Sequence, residues 1–413
     1  MEHYSLQHNV QRTSEDEPDA LPENLRFNAF DFMCLIYSII VYCADIGTDI
    51  YLCYEYSSSD EIAYFVLTLV FLLVPFLAIL GMSLRWYLKD EEKRDVSQTS
   101  NKQWALRLLL HLLHMGPVAR YIEALRYGVM SRKAMKRGDQ KERRQFYQLY
   151  IYEDADITLL RLVESYTEAA PQLLLQIYIV LNATRKNQLR FAFQILSITT
   201  SLCSISWTMT AFARSVRLQY ENKRNISLGG TIVHFLSQLC LVGSRIMAVG
   251  FLASLFPLWI GVVCVLHWLL MFTWLLVQRN KAGCVDLPET FVSGIFAVMM
   301  IFVFFNVVEE PTKKNYVLFY SVIFVENTVF IMVWFFHTPL GVVFKVVGLP
   351  LHFFLFVSGV SLLCLYYMKL HPECESISNN FWQSTLPKKE ETVEETNIND
   401  SSISAEIPDN SAV

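Results

Sequence analysis

The 413-residue sequence lacks the local motifs of several common activities. It contains no GxxxxGK[ST] phosphate-binding loop and no Gly-rich strand-to-helix turn, which argues against a nucleotide site. Its nine cysteines include no CxxC pair and no His/Cys ligand cluster, and His111 and His114 have no acidic residue at ligand spacing beside them. No catalytic constellation stands out either. We therefore expect a protein that is not an enzyme and that needs no metal and no cofactor.

Charged residues are also scarce. Only 18% of the residues are charged, 53% are hydrophobic, and the mean hydropathy is +0.32. Soluble proteins carry about 25% charged and roughly 45 to 50% apolar residues. The composition therefore predicts a polytopic membrane protein. Residues 1–27 are polar and acidic without an apolar h-region, so we expect the first spanning helix to direct targeting. Neither tail resembles a nucleic-acid-binding arm.

The most informative stretch is 156–182, which is long and apolar enough to span a bilayer but carries charges in its first half. At about 100° per residue, Arg161, Glu164 and Glu168 fall within one narrow stripe. Ionisable groups at this depth normally face the protein interior or a wet cavity. Pro171 follows and predicts a break in the helix. The alternative is a buried interhelical ion pair that only fixes packing.

A second acidic stripe lies on the first predicted span, 30–53. Asp31, Asp45 and Asp49 share one face, and about 27 Å separates the first from the last at ~1.5 Å per residue. Packing alone does not readily explain a charged stripe that runs from one leaflet to the other.

Two apolar segments contain residues that predict an interrupted helix. Residues 104–128 contain Gly116-Pro117 and then Arg120, and both flanks are basic, which favours a re-entrant hairpin over a crossing. Residues 229–256 contain Gly243 and Arg245 in a similar order, as in two weak pseudo-repeats. We therefore predict an all-α fold of eight spans and two re-entrant hairpins, with both termini in the cytosol. The eight spans are 30–53, 62–84, 156–182, 191–213, 257–278, 289–308, 315–337 (with Glu326 at its middle) and 345–368.

The tails and the intramembrane charges bear on topology and on function, respectively. We predict disordered cytosolic tails at 1–27 and 371–413 around a transmembrane domain at 28–370. An intramembrane path lined by both signs suits a phospholipid headgroup, whose phosphate pairs with Arg and whose amine pairs with carboxylate. Without a nucleotide site, lipid movement along such a path would be passive and bidirectional.

Several strings resemble the XK-related family. The sequence from Glu164 to Gln176 is similar to the family signature E-x-x-x-E-[AT]-A-P-Q-L, and Ala44–Asp49 matches a second family motif. The resemblance covers about 28–375 and implies eight spanning and two re-entrant helices. It also implies a phospholipid scramblase at the plasma membrane that exposes phosphatidylserine in apoptosis after caspase cleavage. The resemblance implies a lipid path that comprises Asp31, Asp45, Asp49, Arg120, Glu164, Glu168 and Arg245, with Glu326 where mammalian relatives have Asp. We add Arg161 to this path.

The tails contain three acidic tetrapeptides of the caspase type. Asp16-Glu17-Pro18-Asp19 is our first choice, cleavage after Asp400 the second and after Asp409 the third. An N-terminal site resembles the nematode cell-death member of the family, whereas mammalian members are cut in the C-terminal tail. The expected partners are phospholipids and an executioner caspase, with a single-span or chaperone subunit and a homodimer as further candidates and no nucleic acid.

Two other classes of function remain open. In the first, the protein is a membrane scaffold or partner-binding subunit, as the founding family member is, and the charges serve packing. In the second, it is a solute transporter.

One departure from the family pattern is Ala211 before Arg214, where some relatives place an Asp that would form an ion pair.

Overall fold

The computed structural model describes residues 27–58, 62–93, 101–182, 188–218, 226–281, 287–305 and 313–371. The regular structure in these ranges is entirely helical, which confirms the predicted all-α class. Two short segments, Ser165–Ala169 and Tyr366–Leu370, are π-helical. The α-helices in these ranges are α1 Ala29–Ser58, α2 Ile62–Lys93, α3 Asn101–Leu112, α4 Gly116–Arg137, α5 Gln140–Glu164, α6 Ala170–Asn182, α7 Gln188–Leu218, α8 Leu228–Leu255, α9 Pro257–Lys281, α10 Leu287–Met299, α11 Lys313–His337 and α12 Val342–Leu365.

Seven helical stretches within the described residues are long and apolar enough to cross a membrane, so the chain is a multi-pass membrane protein. The charged column formed by α5, the π-helical turn Ser165–Ala169 and α6 is not among them. The seven are Asp31–Ser58, Ile62–Leu88, Ile195–Leu218, Leu228–Leu255, Pro257–Gln278, Lys313–His337 and Val342–Leu370. One of the seven, Leu228–Leu255, covers the segment that was predicted as the second hairpin, and the count of eight spans and two hairpins is not confirmed.

The break before Gly116-Pro117 is confirmed. Helix α3 ends at Leu112, and α4 begins at Gly116 with Pro117 in its first turn, where a missing N–H costs nothing. His114 in the connecting turn has a φ of 65°, in the left-handed region that non-glycine residues seldom adopt. The chain therefore folds back at this point, as a hairpin requires.

The expected break in 229–256 is wrong. Gly243 and Arg245 lie within α8, which runs without interruption from Leu228 to Leu255. The absent side chain of Gly243 makes room for Leu202, since a Cβ there would lie 3.2 Å from that side chain. The interruption lies instead in the predicted span 289–308, where α10 ends at Met299 and buried residues 300–305 are not α-helical.

Helix α8 is the most deeply packed of the seven apolar stretches, with 67% of its apolar window buried. Helices α6, α7, α11 and α12 pack around it. Close approach depends on small residues: a Cβ at Gly359 of α12 would lie 2.7 Å from the Leu241 side chain, and one at Gly250 would lie 2.9 Å from Ile177. The main hydrophobic core lies here.

A tight connection fixes α4 against α5. Gly138 ends α4 with a φ of 81°, which suits glycine, and its N–H donates to the carbonyl of Met135. Asp139 then caps α5 by accepting the N–H of Glu142 at 2.9 Å. Helix α4 consequently packs along α5, the first part of the column that carries the candidate site.

Candidate functional site

A polar cavity of about 380 Å³ lies between α1, the α5–α6 column and α7. Its charged lining consists of Asp49 from α1 and Arg161, Glu164 and Glu168 from the column. The uncharged polar lining comprises Ser165, Gln172 and Gln176 of the column and Ser197, Thr200, Ser201 and Ser204 of α7. Thr200 and Ser204 are exposed, so in the described part of the chain the cavity is open along α7.

The charge of the lining is mainly acidic. Asp49 is 8% exposed, and Glu164 and Glu168 are each 6% exposed. Arg161 is the cation among the described lining residues, and its Nη1 lies 2.6 Å from Oε2 of Glu164. Its guanidinium group also lies 5.0 Å from the ring centre of Tyr42, a cation–π contact. Three carboxylates and one guanidinium therefore share this polar space.

The helix does not break at Pro171: the column is helical from Gln140 to Asn182, and its irregularity is the π-helical turn Ser165–Ala169 just before the proline. Pro171 has no N–H to continue the α-helical ladder, and π-turns are rare local adjustments that occur frequently at functional sites. Within the turn, the hydroxyl of Thr167 donates to the carbonyl of Val163 at 2.7 Å. Glu164 precedes the turn and Glu168 lies within it, so the turn sets the direction of both carboxylates.

The α3–α4 turn adjoins this site. The carbonyl of His114 accepts the hydroxyl of Tyr42 at 2.8 Å, and its ring stacks on Phe76 with centroids 4.8 Å apart. One ring nitrogen of His114 and one carboxylate oxygen each from Glu164 and Glu168 lie within 4.8 Å of one another. Such a set has the ligand types that hold a divalent cation. The sequence could not indicate it, because fifty positions separate His114 from Glu164.

Arg120 lies in a separate, closed cluster. It is fully buried, and its Nη1 pairs with Glu153 at 3.0 Å and with Asp156 at 2.9 Å. Its Nε and Nη2 donate to the hydroxyl and the carbonyl of Ser83 at 2.9 and 3.0 Å. Its guanidinium also covers the Tyr87 ring at 4.1 Å. Arg120 thereby joins α2, α4 and α5.

A third cluster surrounds Arg245. Its Nη2 pairs with Glu326 at 2.7 Å, its Nη1 donates to Asn327 at 2.8 Å, and its Nε donates to the carbonyl of Ile301 at 2.9 Å. The ring of His267 lies 2.9 Å from Glu326 and 3.1 Å from the carbonyl of Met300. The cluster therefore secures the irregular segment after α10 to α8, α9 and α11.

The nine predicted path residues thus fall into distinct places. The described lining of the cavity includes Asp49, Arg161, Glu164 and Glu168, whereas Arg120, Arg245 and Glu326 belong to the two other clusters. Asp31 lies at the start of α1 and accepts the N–H of Asn28 at 2.7 Å. Asp45 is on α1, but its side chain lies outside the described residues, as do Asp19, Asp400 and Asp409.

The uncharged lining of the cavity was not predicted from the sequence. On α7, Ser197, Thr200, Ser201 and Ser204 recur at intervals of three and four, which places them on one helical face. That period was visible in the sequence as a hydroxyl stripe in an apolar helix. The contribution of the α3–α4 turn had no local signal, because it depends on the tertiary contact with Tyr42.

Fold and site together define a multi-pass helical membrane protein with an acidic cavity set among its helices. A family model described as XK-related protein matches residues 33–372, so the chain belongs to the XK-related family. It is 27% identical over 348 residues to XK-related protein 8 of Pan troglodytes, covering 83% of this chain and 85% of that protein. It is also 27% identical over 378 residues to Cell death abnormality protein 8 of Caenorhabditis briggsae, covering 86% and 81%.

Proposed function

We propose that the protein is a phospholipid scramblase of the plasma membrane, which caspase cleavage activates in apoptosis and which exposes phosphatidylserine. The observation that carries this proposal is the acidic cavity open along α7. A headgroup that crosses the ~30 Å hydrocarbon core must leave water, and the loss of hydration is the main barrier to its passage. A polar lining reduces that barrier while the acyl chains stay in the bilayer.

The lining has the chemistry that a phospholipid headgroup requires. Carboxylates of Asp49, Glu164 and Glu168 can accept hydrogen bonds from a headgroup amine, and Arg161 can donate to a phosphate. Gln172, Gln176 and the α7 hydroxyls can replace part of the lost hydration. Since the sequence has no nucleotide-binding motif, lipid movement is passive and runs in both directions.

Family membership supports the proposed process. One relative is named for cell death, and this chain spans most of both relatives described above. Both termini lie in the cytosol in our proposal, and the uncut tail favours a closed state of the bundle. Cleavage after Asp19 in the first instance, or after Asp400 or Asp409, shifts the equilibrium towards the open state.

A second candidate function is a membrane scaffold that binds a partner subunit. The closed Arg120 and Arg245 clusters favour it, because both join helices through ion pairs without lining the acidic cavity. A scaffold of this kind does not move lipid.

Reconstitution separates the two functions. The purified full-length protein is placed in liposomes with a fluorescent phospholipid, and lipid exposed on the outer leaflet is quenched before and after treatment with an executioner caspase. We expect slow movement before cleavage and fast movement after it. We expect the Asp19→Ala variant to remain uncut at this position and to keep moving lipid slowly after caspase treatment.

A lack of lipid movement by both the intact and the cut protein would favour the scaffold. If Asp19→Ala becomes fast after treatment, the effective cut lies after Asp400 or Asp409, which the corresponding alanine variants identify. If the variant with all three alanines is also activated, caspase control is wrong while lipid movement stands.

A further inference from the structure

One exposed face of α4 combines apolar and basic side chains. It borders a surface groove of about 580 Å³, which we name the basic groove. Its lining includes the apolar side chains of Ile122, Leu125 and Val129 and the basic side chains of Arg126, Lys133 and Arg137. Such a face suits an occupant that carries both acidic and apolar groups.

The charges of this groove are available for a partner. Within the described ranges, Arg126 and Lys133 form no ion pair and both are exposed. Arg137 pairs with Glu142 at 2.9 Å, but its side chain is 64% exposed, so that pair contributes little and can be exchanged. Three cations on one helix face repel one another, and an acidic occupant would relieve that repulsion.

The N-terminal segment ends at Phe27, which is anchored on α4, the helix that lines the groove. Phe27, the first described residue, is only 2% exposed and packs against Gly128 of α4, where a Cβ would lie 2.5 Å from its ring. Leu125 and Val129, which line the groove, also pack against the hydrophobic cluster that contains Phe27. The preceding residues therefore start from a fixed point on the same helix.

That segment has matching chemistry and sufficient length. Residues 1–26 contain six Asp and Glu and two Arg, a net charge of -4, and four of the acids lie at Glu15, Asp16, Glu17 and Asp19. Asp19 and Phe27 are eight positions apart, which allows a reach of up to ~27 Å at ~3.4 Å per position. Lys133 lies only about 8 Å along α4 from Gly128 at ~1.5 Å per residue.

We propose that residues 15–23 of the N-terminal segment bind in the basic groove. The carboxylates of Glu15, Asp16, Glu17 and Asp19 pair with Arg126, Lys133 and Arg137, and Leu21 packs on the apolar side chains of the groove. The short tether gives the segment an effective concentration in the millimolar range, so weak individual contacts suffice to hold it.

This contact would explain physically how cleavage of the N-terminal tail activates lipid movement, and this explanation rests on the proposed function. Cleavage after Asp19 releases residues 1–19, and four carboxylates leave the groove with them. Helix α4 connects the groove to the cavity in two ways: Arg120 binds Glu153 and Asp156 of the α5–α6 column, and the turn before α4 places His114 beside Glu164. Loss of the segment would thus alter the position of α4 against the cavity.

Photo-cross-linking tests the contact without measuring lipid movement. Benzoylphenylalanine is incorporated at position 21 of the full-length protein in lipid nanodiscs that contain phosphatidylserine, and adducts are mapped by mass spectrometry. We expect adducts within residues 122–133. The double variant Arg126→Glu/Lys133→Glu should reduce their yield about tenfold, since several partly exposed ion pairs become repulsions.

The matched control is Arg132→Glu/Lys136→Glu, which makes the same charge change at exposed α4 positions outside the groove lining. Its adduct yield should stay within about twofold of the wild type, because these side chains form no part of the proposed contact. Adding Glu15→Lys, Asp16→Lys and Glu17→Lys to the Arg126→Glu/Lys133→Glu variant should restore the adducts. Adducts to phospholipid instead of α4 would assign the groove to the membrane surface and overturn the proposal. An adduct yield that none of the charge substitutions changes would also overturn it.

Lipid movement by the same variants separates this proposal from the proposed function. We expect the uncut Arg126→Glu/Lys133→Glu protein to move lipid as fast as the caspase-cut wild type. If the wild type cross-links as expected but no form moves lipid, the docking stands and the scramblase assignment fails. If the cut wild type moves lipid and no adduct forms on α4, the docking fails alone.

Discussion

The acidic cavity and the Arg245 cluster are both groups of charged side chains among apolar helices, but they differ in how the charges are satisfied. In the Arg245 cluster, all three guanidinium nitrogens contact oxygen acceptors on α11 and on the segment after α10. In the cavity, three carboxylates and Arg161 line an open space of about 380 Å³ with hydroxyls and amides. Charged residues among the helices therefore have two roles in this protein. In the Arg245 cluster they join helices, and in the acidic cavity they line a space that can hold a polar ligand.

The largest expected effect is the loss of stability on removal of Arg245. The variant Arg245→Met leaves Glu326 with His267 alone and exposes the carbonyl of Ile301 to an apolar side chain. Breaking a buried pair by removing one partner costs about 3 to 5 kcal/mol. Thermal unfolding in detergent, followed by the monodisperse fraction after heating, should show a large drop in melting temperature.

The variant Arg245→Met/Glu326→Leu is its control. Removing both charges should restore part of the lost stability, since an apolar pair does not leave an unpaired buried charge. If Arg245→Met instead keeps its melting temperature and loses lipid movement, Arg245 belongs to the lipid path and the contrast between the two regions is wrong.

The comparison also shows what sequence can predict. The helical wheel predicted that Arg161, Glu164 and Glu168 share a face, because this feature depends on local geometry. The partners of Arg120 and Arg245 could not be predicted, since they lie 33 to 82 positions away and pairing depends on how helices pack. Gly243 led to a wrong prediction of a break for a related reason. It allows close contact with Leu202, and α8 continues through it.

The next largest effect should follow from neutralising a cavity carboxylate. Asp49→Asn and Glu168→Gln keep the size of the side chain but lose a charged acceptor. A charge-assisted hydrogen bond contributes about 1.5 to 3 kcal/mol, so each variant should slow lipid movement by the caspase-cut protein roughly tenfold or more. The liposome assay measures this directly, and the melting temperature should change much less than in Arg245→Met.

Asp31→Asn is the matched control for Asp49→Asn, because both positions are on α1 and the chemical change is identical. Asp31 contacts the N–H of Asn28 and is not part of the described cavity lining, so lipid movement should stay near the wild-type rate. Equal slowing by both substitutions would extend the path along the whole acidic face of α1. No slowing by either would make the cavity carboxylates structural.

The smallest effect distinguishes the two faces of α7. Thr200 lines the cavity and Thr199 does not, yet each hydroxyl donates to a carbonyl of its own helix, that of Leu196 or Ile195. Replacing either by Val therefore costs the helix a similar local bond. Thr200→Val should slow lipid movement by the cut protein about two- to threefold, because the lower end of the ~0.5 to 1.5 kcal/mol range for a neutral hydrogen bond applies to a hydroxyl that already bonds within its own helix, and Thr199→Val should not slow it. Equal rates for the two variants would mean that headgroups pass along the column and α1 without contact with α7.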